Sequence, residues 1–380
     1  MQNVLRHTLH VVTIVDVARM AGVSPATVSH TFSAKRPVSA QTRERVRAVA
    51  ARAGYRPSQV AVSMVTGRTR TLGMVVPDIA NPFFSELVRG AEAAAMAAGY
   101  MTIVCSSELD AALEDRCVEV LTDKRVDALL YLPGTTRVHE CLADPALGRT
   151  PLIVIDEEMA GLPDRAVVVT SDNEAGGALA ADHLAGLGHQ RIGVIAGPAG
   201  LPTAEARLKG FTDALAGTGI TLSPGRVIRA SYYTFGAGLE AGRELLRVCP
   251  EVTAVYCAND LIALGVMTVA GQADRHVGRD LSVVGFDDIF TSQLISPPLT
   301  TVRQQIAQLG RRAAIAAIAA IEGRGAAAGS SRIVVPVDLV VRGSTGPACG
   351  DRAGDRGSPG RRGRAATAGS RPRAARPEAG

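Results

Sequence analysis

Apolar residues recur with two different periods along this chain, and the change falls near residue 70. Between Thr13 and Phe32, Ile14, Val17, Ala18 and Ala21 share one face at helical spacing, while Asp16 and Arg19 face away. Gly22 can supply the positive φ of a sharp turn. Ser24 followed by Pro25 then starts a second helix, with a hydroxyl to accept free N–H groups and a proline where no N–H is missed. Val28 and Phe32 lie four apart and turn inward together, which leaves Pro25, Ala26, Ser29 and His30 outward. Ser39 caps a third helix through about Ala53, with Val46, Val49, Ala50 and Ala53 inward and Gly54 as its stop. The pattern predicts an N-terminal all-α helix-turn-helix headpiece over residues 13–56. Spacing alone also allows an ordinary αα-hairpin.

From Thr71 the pattern changes to short apolar runs separated by amphipathic stretches. TLGMVV, YMTIVC and VDALLYL read as buried strands, with helices from Pro82 to Ala98 and from Ala111 to Asp123 between them. The rhythm resumes with RIGVIAG, RVIRA, TAVYCA and LSVVGF, with helices near Ala204 to Ala216, from Gly236 to Val248 and from Asp260. Such repetition predicts parallel sheets covered on both faces by helices. The two halves resemble the lobes of an α/β two-lobed, periplasmic-binding-protein-like domain over residues 71–345. Crossings between lobes are expected near Val169 to Asn173, Pro298 to Val302 and Gly325 to Ser331. A helix from Gln304 to Ile321 is expected on the first lobe, and RIVVPVDLVVRGST as an edge strand closing the second.

Charge sharpens this division. Residues 1–70 carry 11 Lys and Arg against 2 acids and residues 346–380 carry 8 Arg against 3, so a total of +5 leaves the middle at −9. A basic headpiece on an acidic body suits a nucleic-acid binder, since released counterions drive the headpiece onto phosphates while the body is repelled. Residues 1–12 read as a flexible extension without a secretory signal, and 346–380, rich in Gly, Ala, Pro and Arg, as a disordered basic tail. No apolar run is long enough to span a membrane, which makes a cytoplasmic location the expectation. The six cysteines form no CxxC pair and read as reduced core residues; no metal or cofactor is expected. G-x-S-x-G and HExxH are absent, so no enzyme is expected.

The stretches DVARMAGVSPATVSH, RPVSAQTRERV and GYRPSQVAVSM, followed by NPFF, GHQRIGVIAGP, AND, SVVGFDD and PPLTTV, resemble the LacI/GalR family of bacterial transcriptional regulators. The resemblance runs from about Thr13 to Thr345. It implies a homodimer on an operator in double-stranded DNA, controlled by a small-molecule effector, and no membrane partner. Residues 57–70 then become a hinge helix and linker. Ser58 can cap about two turns of helix, too short to be stable alone, and Met64 stands where many members carry a leucine wedge for the minor groove. A plain interdomain linker is the alternative. The candidate DNA contacts are Thr13, Ser24, Pro25, Ala26, Thr27, Ser29, His30, Tyr55, Ser58, Ala61 and Met64. His30 replaces an arginine common in the family.

Ligands of open α/β sheets sit at the carboxyl ends of strands. Residues just past each strand give the candidate effector contacts Asp78, Phe83, Phe84, Thr203, Arg207, Tyr233, Asn259 and Asp287. Carboxylate, guanidinium and amide groups beside aromatic faces describe a sugar-like site, although sugar, sugar phosphate, nucleoside and purine are not separated by these residue types. By resemblance, Arg207, Asn259 and Asp287 contact the effector and Phe84 and Tyr233 form its aromatic wall. Each has a structural alternative: Phe83 and Phe84 as core, Arg207 paired with Glu205 or Asp213, and nearby Asp260 as a helix cap. The reading is a ligand-controlled repressor. Its alternatives are a corepressor-dependent regulator and, against the basic headpiece, a sugar receptor without a DNA role.

Overall fold

The computed structural model describes residues 12–33, 36–56, 63, 66–134, 142, 150–324 and 331–348. Three helices, α1 (Ile14–Ala21), α2 (Pro25–Ser33) and α3 (Ala40–Arg52), form the N-terminal unit. Thr13 and Asp16 cap α1 reciprocally, and Gly22 ends it at φ 62°. Ser39 accepts the Thr42 N–H at the start of α3. Val17, Ala18, Ala21, Val28, Val46, Val49 and Ala50 make one small core, with Val12, Phe32 and Tyr55 packed against its edge. Ser58, Ala61 and Met64, and with them the expected hinge helix, lie outside the described residues.

The larger domain holds two six-stranded sheets. The first runs in the order β11 (Ser331–Val335), β5 (Val167–Ser171), β4 (Leu152–Ile155), β3 (Ala128–Tyr131), β1 (Thr71–Val76) and β2 (Met101–Ser106), all parallel. The second runs β12 (Val337–Val340), β10 (Thr300–Gln304), β9 (Ser282–Asp287), β8 (Ala254–Cys257), β6 (Ile192–Ala196) and β7 (Val227–Arg229), with only β12 antiparallel. Helices α4 (Pro82–Ala97) and α10 (Ile306–Ile321) cover one face of the first sheet, and α5 (Ala111–Asp123) the other. On the second, α6 (Asn173–Gly186) and α7 (Pro202–Gly217) lie opposite α8 (Phe235–Val248) and α9 (Asp260–Gln272). Strand side chains alternate between the two cores, as the period of two requires: Met74 and Val76 enter one, Val75 the other.

Helix pairs approach closely where glycines face each other. A Cβ on Gly210 of α7 would lie 2.0 Å from the Glu174 carbonyl of α6, and one on Gly177 would lie 2.2 Å from the Arg207 carbonyl. This contact fixes the height at which Arg207 leaves α7. Gly90 and Gly310 serve α4 and α10 in the same way.

Two expected crossings are displaced. Thr300–Gln304 is a strand of the second sheet, so the chain returns to the first lobe at Gln305, not at Pro298 to Val302. The third crossing lies at Pro336, not at Gly325 to Ser331: RIVVPVDLVV is not one edge strand but two, β11 in the first sheet and β12 in the second. Proline has no N–H to continue a ladder, which divides the run. The first crossing, between β5 and α6, falls within Val169 to Asn173. The second lobe also continues past residue 345: His189 Nε2 and Ser282 Oγ lie 3.1 Å from the Gly346 carbonyl, and Ala348 N–H donates to Leu187 O at 2.9 Å. Residues 349–380 lie outside the described residues.

Gly210→Ala is expected to force α6 and α7 apart and cost about 1–3 kcal/mol. Gly217→Ala, where an added Cβ meets nothing within 4 Å, should be neutral or stabilise by up to about 1 kcal/mol. Thermal unfolding of the two variants checks the difference.

Candidate functional site

The exposed side of the N-terminal unit is the start of α2. Ser24 Oγ accepts the Thr27 N–H at 3.1 Å and lies 2.9 Å from Thr27 Oγ1. Val28 and Thr31 are buried, and Phe32 meets the Tyr55 ring at 6.1 Å, while Pro25 and Ala26 stand exposed and Ser29 and His30 half-buried. Thr13, Ser24 and Thr27 are thus engaged in capping the helices, and Tyr55 in packing α2. His30 Nδ1 is buried and has no hydrogen-bond partner among the described residues. Behind this unit the chain is fastened to the first lobe: Asp127 accepts the N–H groups of Thr69 and Arg70 at 2.8 Å each, and Arg68 donates to the Ile321 carbonyl at 2.8 Å.

Between the lobes, Asn81, Phe83, Phe84, Asp156, Arg207, Tyr233, Asn259 and Asp287 line a pocket of about 20 Å³. Six of the eight expected effector contacts meet here. Thr203 stands just behind, 3.2 Å from the Tyr233 hydroxyl. Asp78 is not in the lining; its carboxylate accepts the Ala80 N–H at 2.8 Å and shapes the loop into α4. Phe83 and Phe84 are both core and lining, meeting edge to face at 5.2 Å.

Arg207 is almost wholly buried, and its Nε and Nη1 are both engaged. Its Nε donates to Asn173 Oδ1 at 2.7 Å and its Nη1 to the Ala258 carbonyl at 2.8 Å. The guanidinium lies 4.0 Å from the Phe286 ring centroid and 3.6 Å from Asp287 Oδ1. Pairing with Glu205 or Asp213 does not occur: Glu205 binds Arg229 at 2.8 Å, and Asp213 binds Lys209 at 3.1 Å. Burial pushes the Asp287 carboxyl up to about 7, against the opposing pull of Arg207 and of Gln304, which donates to it at 2.7 Å. Asp287 and Asp288 take φ values of 112° and 61°, a backbone that L residues rarely adopt. Asp288 faces away from the pocket, onto Arg303 and Arg342 at 2.6 Å each.

The cap of α9 is Asn259, whose Oδ1 accepts the Ile262 N–H at 2.9 Å, and not Asp260. Asp260 is fully buried and joins β10 to the loop after β9 by accepting from Thr301 Oγ1 and Ile289 N–H.

Sequence reasoning missed Asp156, Glu157 and Gln304. Asp156 follows the buried strand LIVI as Asp287 ends VVGFD, so the same strand-end rule points to it. Glu157, of the first lobe, accepts both the N–H and the hydroxyl of Thr203 in the second, at 3.0 and 2.6 Å. It therefore supplies the first turn of α7 with the acceptor that Leu201, at the cap position, lacks. Burial and then the neighbouring Asp156 push the Glu157 carboxyl up to about 7. Among the described residues, no group of three His, Cys, Asp or Glu could hold a metal ion, and no helix is long and apolar enough to cross a membrane.

The family described as bacterial regulatory proteins, lacI family, matches residues 13–58, and a periplasmic binding protein-like domain matches residues 181–345. The HTH-type transcriptional repressor CytR of Escherichia coli (strain K12) is 34% identical over 333 residues, 88% of this chain and 96% of that protein. The ribose operon repressor of the same strain is 35% identical over 301 residues, 79% of this chain and 90% of its own length. The crystal structure of the lac repressor dimer bound to operator and the anti-inducer ONPF superposes with a TM-score of 0.74 at 29% identity, covering 88% of this chain and 99% of that one.

Glu157 ordinarily titrates near 4.5 and here near 7, so the fold holds its proton over a range in which the unfolded chain has lost it. Its contribution to stability is constant below pH 4.5, falls as pH rises to about 7 and is level above. Glu157→Gln should remove that decline, about 3 kcal/mol, in urea unfolding followed from pH 4 to 8. Arg207→Met strands the Asp287 carboxylate and should cost about 3–5 kcal/mol in the same assay at pH 8.

Proposed function

The chain belongs to the LacI family of bacterial regulatory proteins, and from that premise we propose that it is a dimeric transcriptional repressor whose operator affinity is set by a small ligand bound between its lobes. The observation that carries this reading is the presence in one chain of an exposed α2 start and an interlobe pocket built around Arg207, Asn259 and Asp287. Pro25 and Ala26 have no side-chain donor, so their contribution at base edges is apolar contact with thymine methyls or fit to groove shape. Ser29 and His30 supply the polar contacts, and Ser58, Ala61 and Met64 of the hinge reach the minor groove. The exposed Met101, Ile103 and Val104 on the edge strand β2, with Phe290 and Leu294 on the second lobe, are apolar surface of the kind a second copy covers. The working location is the cytoplasm, where the operator is, and no catalytic role is assigned.

Control of DNA affinity follows from the size of the pocket. A space of about 20 Å³ takes a water-sized group and no ring, so a ligand enters only if the lobes separate. A ligand that favours the separated arrangement shifts the population toward it, and with it the spacing of the two headpieces. The ligand class is a sugar or sugar derivative, matched by carboxylates and a guanidinium for paired hydroxyls and by Phe84 and Tyr233 for ring carbons.

Selection from a random double-stranded DNA pool by the full-length protein without added ligand should enrich a near-palindrome; absence of any enriched sequence in this selection, with enrichment only when sugars or purines are added, would favour the corepressor reading instead. On the enriched operator, Asp287→Asn should bind DNA within about threefold of wild type while losing ligand-induced release by at least tenfold in concentration, read by fluorescence anisotropy.

A further inference from the structure

A second cavity of about 340 Å³ adjoins the aromatic pocket on the hinge side, and Asp156 lines both. Its volume falls within the roughly 300–1,000 Å³ of small-molecule sites, which the aromatic pocket does not approach. The first lobe contributes Asp156, Ser171 and Arg332, and the second Glu174, Pro202 and Thr203, so an occupant touches both.

Its rim groups are already partnered. Glu158 pairs with Arg332 at 2.6 Å, Glu174 with Lys209 at 3.2 Å, and Asp172 accepts the Ala175 N–H at 3.1 Å. Two groups on the floor are not. Asp156 Oδ1 and Ser171 Oγ are buried with no hydrogen-bond partner among the described residues, and Ser171 is only 1% exposed. They sit at the ends of adjacent strands, joined where Asp156 N–H donates to Val169 O at 2.8 Å and Thr170 Oγ1 donates to Asp156 O at 2.8 Å. A buried acceptor without a donor costs on the order of 1–3 kcal/mol, so such pairs mark places where a partner is expected. A hydroxyl suits this floor. It can donate to Asp156 Oδ1 while accepting from the Ser171 hydroxyl.

We infer that the ligand is longer than one ring: one ring lodges between Phe84 and Tyr233, and a second, hydroxyl-bearing ring fills the hinge-side cavity against Asp156 and Ser171. This rests on the reading that a small ligand binds between the lobes.

The test is calorimetric titration of the full-length protein with matched pairs that differ by one hydroxylated ring: glucose and cellobiose, xylose and xylobiose, cytosine and cytidine, adenine and adenosine. In at least one pair the longer member should bind ten or more times tighter. Ser171→Val, which fills the floor, should bring that ratio close to one, and Ser171→Ala, which removes only the hydroxyl, should lower it about three- to tenfold; circular dichroism and melting temperature check both folds, and Ser171→Ala decides if the valine variant does not fold. Equal binding within every pair, or a ratio that survives both substitutions, overturns the inference. If Asp287→Asn abolishes that binding all the same, the interlobe site stands without its extension. If no member of the panel binds, the interlobe reading falls and this inference with it.

Discussion

A guanidinium buried this deeply needs partners for its charge and its N–H groups, and the cleft face of the second lobe is arranged around that demand at Arg207. Phe286 lies under its plane, Asn173 and the Ala258 carbonyl take its N–H groups, and Asp287 balances its charge. These partners come from β9, α6 and the end of β8, elements far apart in sequence, so satisfying one side chain fixes their relative positions. The close glycine contact between α6 and α7 is part of the same arrangement, because it sets how deep the guanidinium reaches. Asp287 holds an unfavourable backbone in return for three side-chain interactions, with Arg207, Gln304 and Asn259.

The two lobes meet through unequal contacts. On one side Ile289 of the second lobe enters the hydrophobic core of the first, beside Phe83 and Ile306. On the other, Glu157 holds the start of α7 through Thr203. The apolar contact persists at any pH, whereas the carboxyl contact changes character near neutrality. Below the first lobe, Asp127 and the end of α10 grip residues 68–70, so any movement of that lobe is carried into the chain leading to the N-terminal unit.

Local patterns made most of this legible in the sequence. The α1 and α2 faces, the cap at Ser24 and the turn at Gly22 depend on neighbours within four residues, and the structure has them as spacing requires. Strand-end residues were legible for the same reason, since Phe84, Arg207, Tyr233, Asn259 and Asp287 all reach one pocket. Partnership was not. Arg207 has acids two and six positions away, yet its anion is eighty residues distant, because burial and not proximity in the chain selects the pair. Sheet membership was hidden too: an apolar run reads the same in either sheet, so Ser331–Val335 was legible as extended but not assigned, and Thr300–Gln304 read as a crossing and the start of a helix. Glu157 gave no signal because its role exists only when the other lobe closes on it.

Of the three crossings, the one at Pro336 is a single residue long, with Val335 in one sheet and Val337 in the other. A tether that short has no slack, so the sheets cannot slide apart there; what remains is a swing about Asp172, Gln305 and Pro336 as pivots. Displacement in a swing grows with the lever arm. In such a swing the cavity floored by Ser171, beside the crossing at Asp172, would change shape less than the gap between Phe84 and Tyr233, which would widen like the open end of a wedge.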